Sequence, residues 1–315
     1  MDVLCVGLMV YDIIAKPVGR IVFDIDTSRI DSLKIASGGD ALNAAIDMGK
    51  LGLKVGLAAK IGNDIMGSYL AGEAARHGVD ISRLVTCDEI STSTSIVLVD
   101  ESGERHFIYY GKANDSLTLE DIDDESISKA SIVHVGSAMS LAGLDGRGLA
   151  ELFKKAKLAG ADTSMDVSWD SSGQWLGKIV EALQYTDTFM PSLREAQMIS
   201  GKNDPEDIAK FFSGYGLKVL AVKLGSQGCF VTDFKDRYTI GTFDKTNVVD
   251  TTGAGDAFVS GFLAGTIRKA SLYERGVLGN AVASMCISKM GATTGTRNWD
   301  ETMDFIRKNT VATRV

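Results

Sequence analysis

Seven residues, Asp250-Thr251-Thr252-Gly253-Ala254-Gly255-Asp256, place two glycines between two carboxylates. They follow a strand-like stretch at 246–249 and open an apolar helical stretch at 257–269. Glycine lets the backbone turn sharply and approach a ligand closely. Free N–H groups at the helix start then point at that ligand, and the helix dipole favours negative charge there. The run predicts an anion cradle at Gly253, Ala254 and Gly255. Asp256 on the rim would repel a resting anion unless it has a task. The simplest task is to take a proton from a hydroxyl that attacks the anion. A plain glycine turn with Asp256 as helix cap is the competing reading. GxxxxGK[ST] is absent, and Gly7 stands alone after the first strand-like run, so neither the P-loop nor the dinucleotide fingerprint is present.

A second run, Gly38-Gly39-Asp40-Ala41-Leu42-Asn43, sets paired glycines before an Ala-rich helical stretch at 41–51. Asp40 and Asn43 are three apart and share a helix face. Asn43 reads either as a polar contact to a small ligand or as a satisfied core amide.

The elements that must hold these residues alternate. Strand-like runs occur at 3–10, 55–61, 132–135, 163–167, 219–224 and 229–233, and helical stretches at 66–77, 146–158, 175–185, 258–269 and 275–290. That rhythm predicts an α/β fold with a mostly parallel sheet covered by helices. Two polar, alternating segments at 12–36 and 92–113 break it, the first with alternation at 19–24, the second with a hairpin of runs 93–100 and 104–110. They fit poorly in a sheet buried on both faces. They are expected to pair as a small lid beside a core of residues 1–11, 37–91 and 114–315.

The composition narrows the function. The chain has 315 residues, 45% of them hydrophobic and 23% charged, and a formal charge of −8. One sizeable domain is expected, and an acidic chain is a poor general partner for nucleic acid. Cys5, Cys87, Cys229 and Cys286 are scattered, and three histidines make a structural zinc site improbable. No basic leader or membrane-length apolar run is evident, so no membrane association and a cytoplasmic location are expected.

Taken together, the two glycine runs, Gly103-Glu104-Arg105 and the turn Lys223-Leu224-Gly225-Ser226-Gln227-Gly228 resemble the PfkB (ribokinase-like) carbohydrate kinases over nearly the whole chain. The resemblance implies a three-layer α/β/α core and transfer of the γ-phosphoryl of ATP to a hydroxymethyl group. It implies Asp256 as base, Gly253, Ala254 and Gly255 as the anion hole, and Asp12, Gly38, Gly39, Asp40, Asn43 and Arg105 around the acceptor. For the nucleotide it implies Ser192, Lys223, Gly225, Gly228 and Asn280. It implies magnesium organised through water by Glu195, and potassium at Asp250 and Thr252 with the 288–296 loop, where a plain hydrogen-bonded turn is the alternative. The pattern departs at Ser192, which replaces an Asn, at Asp166-Val167-Ser168-Trp169-Asp170, which lacks an Asn and an Arg, and at Val10, which speaks against ribose itself.

Asp12 and Asp40 are both expected to face the acceptor, which favours a small neutral sugar. Tyr11, Phe107, Tyr109 and Tyr110 are equally able to stack on a base, which keeps a nucleoside kinase as the alternative, with a non-catalytic sugar- or nucleotide-binding protein behind it. The aromatic cluster also fits sheet packing or a dimer seam. The long alternating lid leaves an exposed edge suited to a homodimer.

Overall fold

The computed structural model describes residues 1–19, 26–102, 104–243 and 247–309. Its strands are β1 (Val3–Val6), β2 (Val10–Lys16), β3 (Ser32–Gly38), β4 (Val55–Ala58), β5 (Lys60–Gly62), β6 (Val85–Cys87), β7 (Thr94–Val99), β8 (Arg105–Tyr110), β9 (Ile132–Ala138), β10 (Asp162–Val167), β11 (Thr188–Phe189), β12 (Val219–Lys223), β13 (Cys229–Thr232) and β14 (Arg237–Ile240).

Side chains alternate across a strand, and β1 shows the result. Val3 and Cys5 enter one apolar cluster, and Leu4 and Val6 enter another. The helices Asp40–Lys50, Ile65–Arg76, Ala254–Ile267 and Leu272–Cys286 pack into the first cluster, and Arg147–Leu158, Leu176–Leu183, Leu193–Ser200 and Pro205–Phe212 into the second. The sheet between them runs β14-β13-β12-β11-β10-β9-β1-β4. Pairs from β12 to β4 are parallel, and β13 and β14 are antiparallel. This is the expected three-layer α/β/α core with a mostly parallel sheet.

The two interrupting segments form a separate sheet of order β3-β2-β7-β8. The pairs Ile35–Ile13, Ile13–Ile96 and Ile96–Ile108 run across all four strands, so these isoleucines share one face. Ile14, Val97 and Phe107, one residue along, share the other.

Several boundaries differ from the sequence reading. The run at 3–10 breaks after Val6, and Val10 and Tyr11 pair with Gly38 and Ser37 in the small sheet, so that sheet extends past the expected 12–36 limits. The run at 55–61 is two strands in different sheets, because β5 pairs with β6. Residues 247–249 are not a strand, so the glycine run is entered from a loop. Thr246, residues 20–24 of the predicted alternation and Gly103 lie outside the described residues. Helices Leu193–Ser200, Pro205–Phe212 and Trp299–Lys308 escaped the sequence reading, although Ser192, Asp204 and Asn298 each cap a helix with a side-chain oxygen.

One core position is costly. Asp47 is fully buried, and neither carboxylate oxygen has a hydrogen-bond partner. Burial pushes its carboxyl up to about 8, against the pull of Lys50 and Thr296. An unfolded aspartate ionises near about 4. The native state therefore keeps a proton that the unfolded state releases, and this group lowers stability as pH rises from about 4 to about 8. Asp47→Ala is expected to lose less thermal stability than wild type between pH 4.5 and pH 8, so that its melting temperature relative to wild type rises across that window. Equal melting shifts at both pH values would contradict the burial of this charge.

Candidate active site

The site lies where the parallel strands end, the usual place for ligands in open α/β sheets. Val167 closes β10, Lys223 closes β12 and Ser192 follows β11. A cleft of about 440 Å³ opens there, lined by Asp40, Asp166, Ser192, Glu195, Lys223, Gly255 and Asp256 among others. A second cavity of about 250 Å³ lies under the small sheet, lined by Asp12, Arg105, Phe107, Asp250, Thr252 and Met290 among others. The 250–256 turn is the wall between them. Asp250 and Thr252 face the small-sheet cavity, while Ala254, Gly255 and Asp256 face the cleft.

Gly253 makes that wall possible. Its φ is +77°, and a Cβ would lie 2.3 Å from the Ala292 carbonyl oxygen. Behind it the helix Ala254–Ile267 is anchored by close backbone packing, since a Cβ on Gly261 would meet the Leu278 oxygen at 2.5 Å. The helix start is thereby fixed, with its open N–H groups at the cleft.

Asp256 sits in the first turn of that helix. Asn43, from the neighbouring helix Asp40–Lys50, donates Nδ2 to Asp256 Oδ2 at 2.8 Å. Asn43 Oδ1 is buried without a partner. Burial, then repulsion from Asp40 and Asp166, pushes the Asp256 carboxyl well above the ordinary range, with Asn43 and Lys223 opposing. Asp40 accepts hydrogen bonds from the Ser137 and Ser168 hydroxyls, the latter at 3.1 Å. It lines the cleft beside Asp256, whereas Asp12 lines the cavity under the small sheet. Lys223 forms an ion pair with Asp166. Burial works against its charge, but Asp166 and Glu195 outweigh it and hold the ammonium above its usual range. A Cβ on Gly255 would be 3.4 Å from Lys223 Nζ, so this cation lies against the anion turn.

Ser192 has a structural role as well. Its amide donates to Glu195 Oε2 at 2.8 Å, and its hydroxyl accepts from the Glu195 amide at 3.3 Å, a reciprocal cap for the helix Leu193–Ser200. Among the described residues no group of three metal-type ligands stands together. Magnesium typically keeps several waters and takes one or two carboxylates plus phosphate oxygens. Glu195 and Asp166, both lining the cleft, suit that requirement.

Under the small sheet, burial pushes Asp12 up to about 7. A Cβ on Gly38 would meet Asp12 Oδ2 at 2.3 Å, and one on Gly39, at φ +94°, would meet the Leu8 oxygen at 2.4 Å. Both glycines thus make room at this end of the small sheet. Arg105 forms an ion pair with Asp250 at 2.7 Å and hydrogen-bonds Thr252. Asp250 also accepts from the Thr252 amide at 3.0 Å and hydroxyl at 2.7 Å, and from the Gly291 amide at 2.9 Å. Burial opposes its charge, but these donors hold its carboxyl below the ordinary range. The oxygens expected to hold potassium are therefore already engaged by an arginine.

Gly225 lines the cleft, whereas Gly228 packs against the Ile240 oxygen. Asn280 does not join the cleft lining. Both its hydrogen bonds run from Nδ2 to the Ile240 and Gly241 carbonyls at 3.0 Å. The sequence reading assigned no site role to Asp166, Trp169 or Ser137. Asp166 and Ser137 lie at the C-terminal ends of β10 and β9, and that position was the available signal.

A fixed helix start, a basic side chain and clustered carboxylates at strand ends define a phosphotransferase of the α/β class. Residues 1–299 match the pfkB family carbohydrate kinases. A sugar kinase of Archaeoglobus fulgidus is 32% identical over 79% of this chain and 97% of its own length. An ATP-dependent 6-phosphofructokinase of Thermoanaerobacterium thermosaccharolyticum is 30% identical, covering 92% and 89%. The ribokinase of Arabidopsis thaliana, solved with ribose and ATP, superposes with a TM-score of 0.84 at 22% identity, covering 97% and 98%. The chain belongs to the pfkB family, whose carbohydrate kinases are phosphotransferases with an alcohol acceptor.

Gly253→Ala is expected to force the turn open. A strained left-handed alanine costs about 1–3 kcal/mol, and the clash with Ala292 adds to it. Melting should fall by several degrees and phosphoryl transfer by more than tenfold; wild-type turnover in this variant would show that the turn is not the anion site.

Proposed function

We propose that this chain is an ATP-dependent sugar kinase that phosphorylates a hydroxymethyl group of a small neutral sugar. The observation that carries the reading is the buried pair Asn43–Asp256 at the start of a helix whose amides face the cleft beside the Lys223 ammonium. The cleft takes the nucleotide, with Ser192, Lys223, Gly225, Gly228 and Asn280 as its supporting residues. The small sheet acts as a lid over the acceptor, and Gly38 and Gly39 mark the hinge.

The acceptor hydroxyl approaches Asp256, and the unpartnered Asn43 Oδ1 accepts a hydrogen bond from the same sugar. The hydroxyl oxygen bonds to the γ-phosphorus, the bond to the bridging oxygen breaks, ADP leaves and Asp256 takes the proton. The Gly253, Ala254 and Gly255 amides, with Lys223, balance charge on the transferring group. Glu195 would hold magnesium through water, and the ion would supply neutralisation of the phosphate charge.

A neutral acceptor is favoured because Asp12 lines the cavity and the Arg105 charge is matched by Asp250. A nucleoside is the second reading, favoured by the apolar walls Ile14, Val97, Val99 and Phe107. The scattered free cysteines suit a cytoplasmic enzyme. Among the described residues no helix is long and apolar enough to cross a membrane.

The outer face of the small sheet supports a homodimer. Ile35 is 52% exposed, Ile96 37% and Ile108 49%, an apolar row on the face opposite the cavity. A second copy covers it in this reading.

ADP release measured against panels of neutral sugars, sugar acids, sugar phosphates and nucleosides tests the acceptor. Stimulation by no member would overturn the kinase reading. Asp256→Asn should lose about 10²–10⁴ in kcat, with little change in acceptor KM. Because Asp256 is raised, activity in the wild type should fall on acidification above the ordinary carboxylate range. Near-normal turnover in the variant would remove Asp256 as base. Ile96→Glu with Ile108→Glu should halve the mass found by light scattering; an unchanged mass would place any dimer contact elsewhere.

A further inference from the structure

Arg105 is the unusual residue of the small sheet. Its neighbours on the cavity face of β7 and β8 are Val97, Val99 and Phe107, all apolar. Among the described residues it is the side chain that crosses the cavity to the 250–256 turn. Its partner Asp250 is almost fully buried, with 6% of its side chain exposed, while Arg105 keeps 37%. A charge-assisted bond to a buried carboxylate is among the stronger hydrogen bonds available.

Asp250 is the knot of the turn. Its Oδ1 takes the Thr252 amide, the Thr252 hydroxyl and Arg105, and its Oδ2 takes the Gly291 amide. Four donors thus converge on one carboxylate from the turn, from the 291 loop and from the small sheet. Thr252 immediately precedes Gly253, and Ala292, which follows Gly291, is the backbone that Gly253 touches. Removing the guanidinium leaves the carboxylate with backbone donors and one hydroxyl, and it frees the Thr252 hydroxyl from its second partner. The other polar contact from the small sheet to this region, Lys34 Nζ to Met290 Sδ at 3.4 Å, is to a weak acceptor and falls on the same 290–292 loop.

Resting on the kinase reading, we infer that Arg105 is a positioning residue for phosphoryl transfer rather than only an acceptor ligand. Its guanidinium, reaching from the small sheet to Asp250 and Thr252, holds the turn that presents the Gly253–Gly255 amides. The anion hole is set while the small sheet lies over the acceptor cavity, and loosens when it lifts. Water entering an open cavity then meets an incomplete site. The same guanidinium supplies the positive charge at Asp250 that a bound monovalent cation would otherwise supply, so the wild type works without potassium.

Two measurements on the full chain test this. The first needs no acceptor. Hydrogen exchange at the 250–256 and 289–293 peptides should be at least about tenfold faster in Arg105→Ala than in wild type, with exchange across the main sheet unchanged. Arg105→Lys should lie between. The second applies once an acceptor is known. Arg105→Ala should lose kcat by about tenfold or more with acceptor KM changed less than kcat, and millimolar guanidinium or potassium should restore part of the loss. Unchanged exchange in both peptides overturns the inference even if the protein is a kinase. A rise in acceptor KM alone, at wild-type kcat, makes Arg105 a substrate ligand and also overturns it. If no acceptor stimulates ADP release, the kinase reading fails while the exchange result still decides whether Arg105 holds the turn.

Discussion

Four carboxylates, Asp40, Asp166, Glu195 and Asp256, share one cleft with a single ammonium, that of Lys223. Burial and mutual repulsion raise the Asp256 and Asp166 carboxyls, and the rest of the architecture serves to make the arrangement tolerable. Ser137 and Ser168 hold Asp40, Lys223 holds Asp166, Ser192 holds Glu195 and Asn43 holds Asp256. Each carboxylate has a separate partner from a separate element. Among the described residues lining the cleft, Lys223 is the one cation set against these acids.

The 250–256 turn links this cleft to the second cavity. It carries Asp256 and the amides on one side and the Asp250 knot on the other. The two cavities therefore meet across a few backbone atoms, and the small sheet reaches the same turn through Arg105. No long relay is needed to connect them, because the communicating groups are covalent neighbours.

Much of this was legible in the sequence. The glycine runs and the strand–helix rhythm announced the turn, the diglycine helix and the parallel sheet, because local backbone requirements and side-chain periodicity act over a few residues. The partners of Asp40 were not legible, because Ser137 and Ser168 are distant in sequence and only the fold brings them to it. Only the packing of Ser137 and Ser168 shows which cavity Asp40 faces. Asp166 was passed over because a carboxylate at a strand end looks ordinary until Lys223, 57 residues on, is brought against it. The partner of Arg105 was equally out of reach, since it depends on how the small sheet lies over the core.

The helices Ala254–Ile267 and Leu272–Cys286 meet backbone to backbone, with Phe258 against Gly279 and the Leu278 oxygen against Gly261. At Gly261 no side chain separates the two backbones, so a larger residue there would push the helices apart. Drift in sequence is accommodated easily on the small sheet, where a changed side chain alters only the contour of a cavity. On the helix pair the same drift would displace the glycine turn at 253–255 itself, so change is absorbed by the small sheet and resisted beneath it.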